Sequence, residues 1–392
     1  MKLLLCLSAL LATAMSDASL EDTLKSANDQ FTASMFQEVL KKNEDKSVVQ
    51  SAYSVLPILA QLSLASEGPT HDEILKTIGL PNDNVTKAVF ADVTKRLRAV
   101  KGVELKEANK VYVGKDYSLN EQFAALSKEI FNSEVQNIDF GENVKAAKEM
   151  NDWVEENTNH RIKDLVKADS LNPSTAAVLV NAIYFKGKWM KPFKPHSTYN
   201  GTFHVTSEKT VTLPLMYQQD DFNYAESAEL DAQILEMKYE GDETSMLIVL
   251  PKKTDGIKEL TEKLRDPTLL NKAVQDLSYQ EVQVTLPRFK IETTTDLKEV
   301  LTKMNIKKLF KADEAQLTNL LKESKSLYVS SATQKAFIEV KEDGAEAAAA
   351  NQFNVAYLSA FITESYKFNA DHPFVFLLLE KNNILFNGVY RA

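Results

Sequence analysis

Residues 342–366 read EDGAEAAAANQFNVAYLSAFITESY, a stretch without lysine, arginine or proline. An acidic pair and a glycine open it, and small residues follow. If it forms a strand, alternate side chains point to opposite faces. One face is mostly apolar and suited to burial: Ala345, Ala347, Ala349, Asn351, Phe353 and Val355. The other is small or polar and suited to water: Glu346, Ala348, Ala350, Gln352, Asn354 and Ala356.

The same residues also suit a short surface helix. Glu346 is followed by four alanines, and alanine has the highest helix propensity. The local pattern leaves both structures open. A segment that can be a helix or loop in one state and a half-buried strand in another is a candidate moving part.

Five collinear stretches resemble the motifs of one family. GAEAAAA at 344–350, preceded by KAFIEV at 335–340, resembles the reactive-loop hinge of the serpins. Four other blocks resemble serpin motifs: SAYSV at 51–55, NAIYFKGKW at 181–189, LPRFK at 286–290 with DL at 296–297, and FNADHPFVF at 368–376 with LFNG at 385–388. The resemblance covers nearly everything after residue 25. Within the family it is greatest to haemolymph serpins of moths and silkworms, the antitrypsin and antichymotrypsin group.

The resemblance implies an α+β serpin fold with about nine helices around a large central mixed sheet, smaller sheets, and an exposed C-terminal reactive loop at about 342–366. Residue patterns agree, because helical patterns dominate the first half and strand patterns the second. Helices are predicted at 20–43, 54–65, 71–79, 120–131 and 146–158. Strands are predicted at 107–113, 176–185, 232–238, 244–250, 281–286 and 336–340. The continuous apolar run 176–185 indicates a strand buried on both faces.

The resemblance also implies a mechanism. A protease attacks the loop and forms an acyl-enzyme, and the freed arm inserts as a new strand between strands 176–185 and 332–340. The hinge would comprise Glu342, Asp343, Gly344, Ala345, Glu346, Ala347, Ala348, Ala349 and Ala350. Ser54 and Asn181 match the family's sheet-opening region. Gln334 stands where many serpins carry histidine, which we expect to change the rate of sheet opening and not the mechanism.

The position of the cut follows from the family's spacing. With Asp343 as the sixteenth residue before the cut, the reactive bond is Leu358–Ser359. Leu358 is then the bait residue, whose side chain enters the primary pocket of the protease, and an error of one residue in this count would make it Tyr357. Either bait suits an apolar pocket of the chymotrypsin or elastase type. A trypsin-like pocket instead holds a buried carboxylate that requires lysine or arginine, and the nearest basic residues, Lys341 and Lys367, lie outside the bait region.

Residues 1–16 have the pattern of a signal peptide. Lys2 precedes an apolar run at 3–12, and small residues follow. The only cysteine, Cys6, would leave with this segment. Residues 17–392 contain no linker or repeat and are predicted to form a single serpin domain. Asn84 and Asn200 begin N-glycosylation triplets, so we expect a secreted glycoprotein, in haemolymph by resemblance.

Charge and motifs limit the partners. The net charge of −9 argues against nucleic acid, whose phosphates need a basic surface, and no membrane partner is expected. One basic cluster, Lys95, Arg96, Arg98 and Lys101, lies where some serpins bind sulfated polysaccharide. A solvated helix face is the preferred interpretation. The resemblance implies a monomer.

Enzyme chemistry is not indicated. The sequence has no GxSxG, HExxH, Walker or GxGxxG motif, and its histidines lack metal-ligand spacing, so neither a metal nor a cofactor is expected. Three functions remain open: an inhibitory serpin, a non-inhibitory serpin acting as a carrier or storage protein, and a hydrolase. The uninterrupted run of small hinge residues favours the inhibitor.

Overall fold

The computed structural model describes residues 17–97, 102–323, 325–343 and 365–392. Within these ranges there are nine α-helices, which confirms the number that the resemblance implied. They are α1 Asp17–Lys41, α2 Ala52–Ala65, α3 Gly68–Ile78, α4 Asp83–Leu97, α5 Glu121–Phe131, α6 Asn143–Asn157, α7 Ile257–Lys263, α8 Pro267–Gln275 and α9 Leu297–Lys303.

Fourteen strands lie in the same ranges and become dense after α6. They are β1 Val48–Gln50, β2 Val103–Gly114, β3 Glu134–Ile138, β4 Ala177–Gly187, β5 Tyr199–His204, β6 Thr210–Ser227, β7 Ala232–Lys238, β8 Thr244–Pro251, β9 Ser278–Pro287, β10 Phe289–Asp296, β11 Ser331–Val340, β12 Tyr366–Asn369, β13 Phe374–Glu380 and β14 Asn383–Tyr390.

The strands form two sheets. One has five strands in the order β10-β11-β4-β2-β3, and it is mixed because β11 pairs with β4 in parallel whereas β10 with β11 and β2 with β4 are antiparallel. The other follows the order β1-β14-β13-β8-β7-β6-β9-β12, with β5 paired to β6. The five-stranded sheet positions the candidate site, because the chain leaves it at Val340 just before residues 342–366.

Strand β4 is buried on both faces, as its continuous apolar sequence predicted. Leu179, Ile183 and Phe185 join the large core that contains α2, whereas Val180 and Tyr184 join a second cluster with Met150 of α6. The alternation follows from the two-residue period of a strand. Helix α2 therefore covers one face of the sheet and α6 the other, so any widening of the sheet must displace packed side chains.

Helix α2 begins beneath the middle of this sheet. Ser51 is its N-cap, and the Ser51 hydroxyl accepts a hydrogen bond from the Ser54 amide at 3.1 Å, which satisfies one of the free donors of a helix start. All 14 residues of α2 are buried. The cap fixes Ser51 and Ser54 against the sheet, where they meet β4 and β11.

The predicted helices and strands are confirmed, with boundaries shifted by a few residues. No helix in the described part of the chain is both long enough and apolar enough to cross a membrane. Residues 1–16, the hinge from Gly344 to Ala350 and the bait residues Tyr357, Leu358 and Ser359 lie outside the described residues.

Candidate functional site

The parallel pairing of β4 with β11 is the seam of the five-stranded sheet. Ser331 to Ile338 pair in continuous register with Val178 to Phe185, so the seam is closed along its length. A strand that turned back after residue 343 and entered here would run antiparallel to both neighbours. One parallel ladder would thereby be exchanged for two antiparallel ladders, which are slightly more stable per residue.

Gln334 joins both strands of the seam to the start of α2. It is fully buried and faces Asn181 across the seam. Its Nε2 group donates to Asn181 Oδ1 and to the Ser51 carbonyl, each at 2.7 Å, and its Oε1 atom accepts from the Ser51 amide at 3.2 Å. A neutral amide thus acts as donor and acceptor at once, and no proton needs to bind or leave for these contacts to persist.

Asn181 extends the same network to β2. Its Nδ2 group donates to the Ser54 carbonyl at 2.9 Å and to Asn109 Oδ1, and its Oδ1 atom accepts from the Ser54 hydroxyl at 3.1 Å. We call Ser51, Ser54, Asn109, Asn181 and Gln334 the pivot. All five are buried, so breaking the pivot without new partners carries the full penalty of an unsatisfied buried polar group.

Glu107 lies beside the pivot, two residues before Asn109 on β2 and opposite Ile183. Within the described part of the chain, its Oε1 atom is buried without a hydrogen-bond partner. Burial raises the pKa of the Glu107 carboxyl from its ordinary 4.5 to about 7. Because the folded pKa is the higher one, native stability is lost as the pH rises from 4.5 through about 7. At neutral pH the closed sheet therefore holds this carboxyl only partly ionised.

Residues 341–343, which we call the loop base, are held by the segment that follows β4. The Trp189 indole Nε1 donates to the Lys341 carbonyl at 2.8 Å, and the Trp189 amide donates to the Asp343 carbonyl at 3.2 Å. The Phe193 amide donates to the Glu342 carbonyl at 2.8 Å. Trp189 is itself stacked on Tyr239, with ring centroids 4.3 Å apart. The chain entering the predicted hinge is therefore anchored to rigid structure.

The Glu342 side chain adds a charged clamp to the loop base. Its carboxylate pairs with the Arg288 guanidinium and accepts from the Thr198 hydroxyl at 2.7 Å. Burial raises the pKa of the Glu342 carboxyl, but the hydrogen bonds from Arg288 and Thr198 lower it by more, so the pKa lies below the ordinary 4.5. The clamp is therefore complete above that pH and is lost as the pH falls below it.

Glu342→Gln is expected to destabilise the native state by about 1 kcal/mol at pH 7. The amide still accepts from Thr198 but loses the charge-assisted bond to Arg288, whose side chain is 45% exposed and stays solvated. The urea midpoint should fall, hydrogen exchange at the Phe193 amide should quicken, and the difference from wild type should shrink below pH 4.5.

Glu262→Gln is the matched control, because Glu262 forms a more exposed ion pair with Arg265 at 3.0 Å, away from the loop base. It should shift the urea midpoint little. A Glu342→Gln protein with unchanged stability and exchange would show that the clamp does not hold the loop base.

The structure brings some predicted site residues together and not others. Ser54, Asn181 and Gln334 meet in the pivot, while Glu342 and Asp343 form the far end of the seam. Asn84 is exposed in the first turn of α4, and Asn200 is exposed on β5. Lys95 and Arg96 lie in α4, and Arg98 and Lys101 are outside the described residues. The sequence did not single out Asn109, Trp189, Thr198 or Arg288 as site residues.

Comparisons with known proteins agree with this geometry. The family model "Serpin (serine protease inhibitor)" matches residues 26–391. Antichymotrypsin-2 of Bombyx mori is 55% identical over 372 residues, covering 95% of this chain and 99% of that protein. Antitrypsin of Bombyx mori is 53% identical over 392 residues and all of both chains. The solved structure of Serpin48 of Tenebrio molitor has a TM-score of 0.87 at 36% identity, covering 96% of this chain and 99% of that one.

These findings settle the class of protein. The family model spans nearly the whole chain, the relatives are more than half identical along it, and the solved fold is closely similar. The structure itself has a parallel seam with a buried polar pivot. The similar relatives are named as inhibitors and not as enzymes. The chain therefore belongs to the serpin family of serine protease inhibitors.

Proposed function

We propose that this chain is a secreted inhibitory serpin, which traps chymotrypsin-like or elastase-like serine proteases as a covalent acyl-enzyme by inserting its reactive loop. The observation that carries the proposal is the closed parallel seam between β4 and β11, at whose end the clamped loop base leads directly into the small residues 344–350. Residues 17–392 act as one domain and as a monomer, and residues 1–16 are the signal peptide.

The chemical step belongs to the protease. Its serine oxygen attacks the carbonyl carbon of Leu358 while the protease histidine takes the serine proton. The bond to Ser359 breaks, Ser359 leaves as an amine that accepts that proton, and Leu358 remains as an ester on the protease. Hydrolysis by water would release active protease. Inhibition therefore requires the loop to move the protease before water attacks the ester.

Insertion supplies the driving force. Roughly a dozen new backbone hydrogen bonds at about 1 kcal/mol each would favour the inserted state by on the order of 10 kcal/mol. The native state must then be metastable, and the clamp on Glu342 and the buried pivot are what keep the seam closed. Insertion requires Gln334 and Asn181 to separate, because they face each other across the seam.

The hinge residues suit insertion. Gly344 permits a turn without a steric penalty, and the alanines from 345 to 350 lose little rotamer entropy on burial. Proline is absent, and proline would remove a ladder hydrogen bond. The two Bombyx relatives carry names that refer to different proteases, so a shared framework does not choose the target. The choice rests on the bait residue, for which we propose Leu358, with Tyr357 as the alternative.

Secretion, glycosylation and the role of the basic cluster are proposed from the sequence. Exposure of Asn84 and Asn200 supports glycosylation at both positions, and haemolymph is the proposed compartment. For the basic residues Lys95, Arg96, Arg98 and Lys101, a solvated face is proposed in preference to a site for sulfated polysaccharide.

Incubation with chymotrypsin, pancreatic elastase or trypsin, followed by denaturing gel electrophoresis, tests the proposal. We expect a stable band at the combined mass with chymotrypsin or elastase and loop cleavage or no reaction with trypsin. Complete cleavage at the loop by all three enzymes, with no covalent complex at any ratio, would instead indicate a non-inhibitory carrier or storage serpin.

A further inference from the structure

A cleft of about 280 Å³ lies on the other side of the segment that holds the loop base. Its apolar lining comes from Met190 and Tyr279, with Phe222 and Met237 buried in the core behind them. Met190 is 45% exposed and Tyr279 is 63% exposed. Large apolar side chains left open to solvent around a concave surface are typical of binding sites.

The aromatic rings of this cleft already hold a cation, the Lys191 ammonium, which also pairs with the Asp220 carboxylate. The Lys191 ammonium lies 5.5 Å from the Phe222 ring centroid and 5.3 Å from that of Tyr279. It also donates to the Tyr279 hydroxyl at 3.0 Å and to the Asp221 carbonyl at 2.8 Å. An ammonium beside ring faces within about 6 Å is stabilised by the ring quadrupoles. The cleft therefore already stabilises one positive charge at its edge.

Two carboxylates in the cleft are not neutralised. Glu236 is half-buried and accepts only from neutral donors, Asn223 at 2.6 Å and Ser245 at 2.7 Å. Asp221 is exposed, and among the described residues neither carboxylate forms an ion pair. Of the other charged lining residues, Lys238 pairs with Asp242, and Lys191 pairs with Asp220 beside the cleft. The cleft thus combines an apolar and aromatic wall with an excess of negative charge.

We propose that this cleft binds an aryl-alkyl amine. The ring of the ligand lies against Met190 and Tyr279, and its ammonium is paired by Glu236 and Asp221. An anionic ligand would be repelled by these two carboxylates, and a neutral ligand would leave their charge unpaired.

The position of the cleft links it to the loop base. Met190 lines the cleft, and its backbone amide donates to the Lys238 carbonyl at 2.9 Å, while the adjoining Trp189 holds Lys341 and Asp343. A ligand that packs against Met190 stiffens the segment that must release the loop base when the loop inserts. Because coupling between two sites is reciprocal, the ligand should bind the intact chain more tightly than the loop-cleaved chain. This part of the inference rests on the proposed function.

Titration of the intact chain with 2-phenylethylamine tests the site without any protease. We expect a Kd of about 0.1–1 mM by calorimetry, the range for a ligand of this size, and a shift in the labelled methyl signal of Met190. Neutral 2-phenylethanol and anionic 3-phenylpropanoate should bind at least about fivefold more weakly. Equal binding of the three probes, or no methyl shifts at millimolar amine, would overturn the site.

Glu236→Gln removes the charge and keeps an oxygen that accepts from Asn223 or Ser245, so folding should survive, and thermal unfolding checks this. It should weaken amine binding at least about fivefold, as should Asp221→Asn. Glu259→Gln on α7 is the matched control and should bind like wild type. Amine affinity that none of the variants changes contradicts the assignment, and equal affinity for the intact and the loop-cleaved chain overturns the linkage to the loop base.

Discussion

Leu358→Arg is expected to raise the rate of trypsin inhibition by about 10³-fold or more and to abolish inhibition of chymotrypsin. The pocket of trypsin holds a buried carboxylate, and a leucine leaves that charge without a partner. Sites built for a polar group reject apolar analogues by about 10⁴–10⁵-fold. The substitution should not alter loop insertion, because the seam, the pivot and the loop base are separate from the residues that enter the protease pocket. Association rates with both proteases, measured by loss of protease activity, check the prediction.

Tyr357→Arg is the matched control for the position of the cut. If Leu358–Ser359 is the reactive bond, arginine at 357 should confer much slower trypsin inhibition than arginine at 358. Mass spectrometry of the released C-terminal peptide identifies the cleaved bond in each variant. Faster inhibition with arginine at 357 would move the reactive bond one residue towards the N-terminus, with the mechanism unaltered.

Local sequence predicted the elements of the sheet but not all of its contacts. The strand at 176–185 was predictable because ten consecutive positions are apolar or small apart from Asn181 and Tyr184. That isolated Asn181 in a buried strand is itself a signal, because a buried amide requires partners. Its partners Ser54 and Asn109 come from elements 127 and 72 residues away. For Ser54 and Gln334, only the family resemblance indicated that they would meet Asn181.

The clamp on the loop base was missed for a similar reason. Arg288 and Thr198 are 54 and 144 residues from Glu342, and nothing in their local sequence distinguishes them from other surface polar residues. Arg288 lies within the LPRFK block used for the resemblance, and the resemblance gave it no role here. Trp189 ends the NAIYFKGKW block used for the resemblance, and it was given no role beyond that. Its indole N–H, which requires a partner when buried, was the unused signal.

In the proposed mechanism, the pivot and the clamp keep the sheet closed until the loop inserts. The pivot is buried and the clamp is partly buried, and both lose hydrogen bonds when the seam opens. Those polar groups regain partners only after the strands have rearranged. Apolar contacts across the seam would resist opening by a similar amount, but they do not fix one register. Gln334 on β11 and Asn181 on β4 fix it, because a slip of β11 by one residue would turn Gln334 to the face opposite Asn181.

Ala345→Arg is expected to convert the inhibitor into a substrate. Ala345 begins the face of the hinge that becomes buried on insertion, and an unpaired arginine there would cost several kcal/mol. If about 3 kcal/mol of that penalty is felt in the transition state, insertion slows more than 100-fold. Deacylation then precedes insertion in most encounters. The variant should fold normally, be cut at the same bond and release active protease.

Glu346→Arg separates burial from charge. It places the same side chain one residue later, on the opposite face, which the sequence pattern predicts to be the more polar one. The number of inhibitor molecules consumed per protease should therefore remain near the wild-type value, while for Ala345→Arg it should rise at least about tenfold. Gel electrophoresis should show mostly cleaved serpin for Ala345→Arg and mostly covalent complex for Glu346→Arg. An equal loss in both variants would mean that the hinge tolerates no cation on either face. An unchanged ratio for Ala345→Arg would mean that residue 345 does not enter the seam before deacylation, and the start of the inserting strand would lie further along the loop.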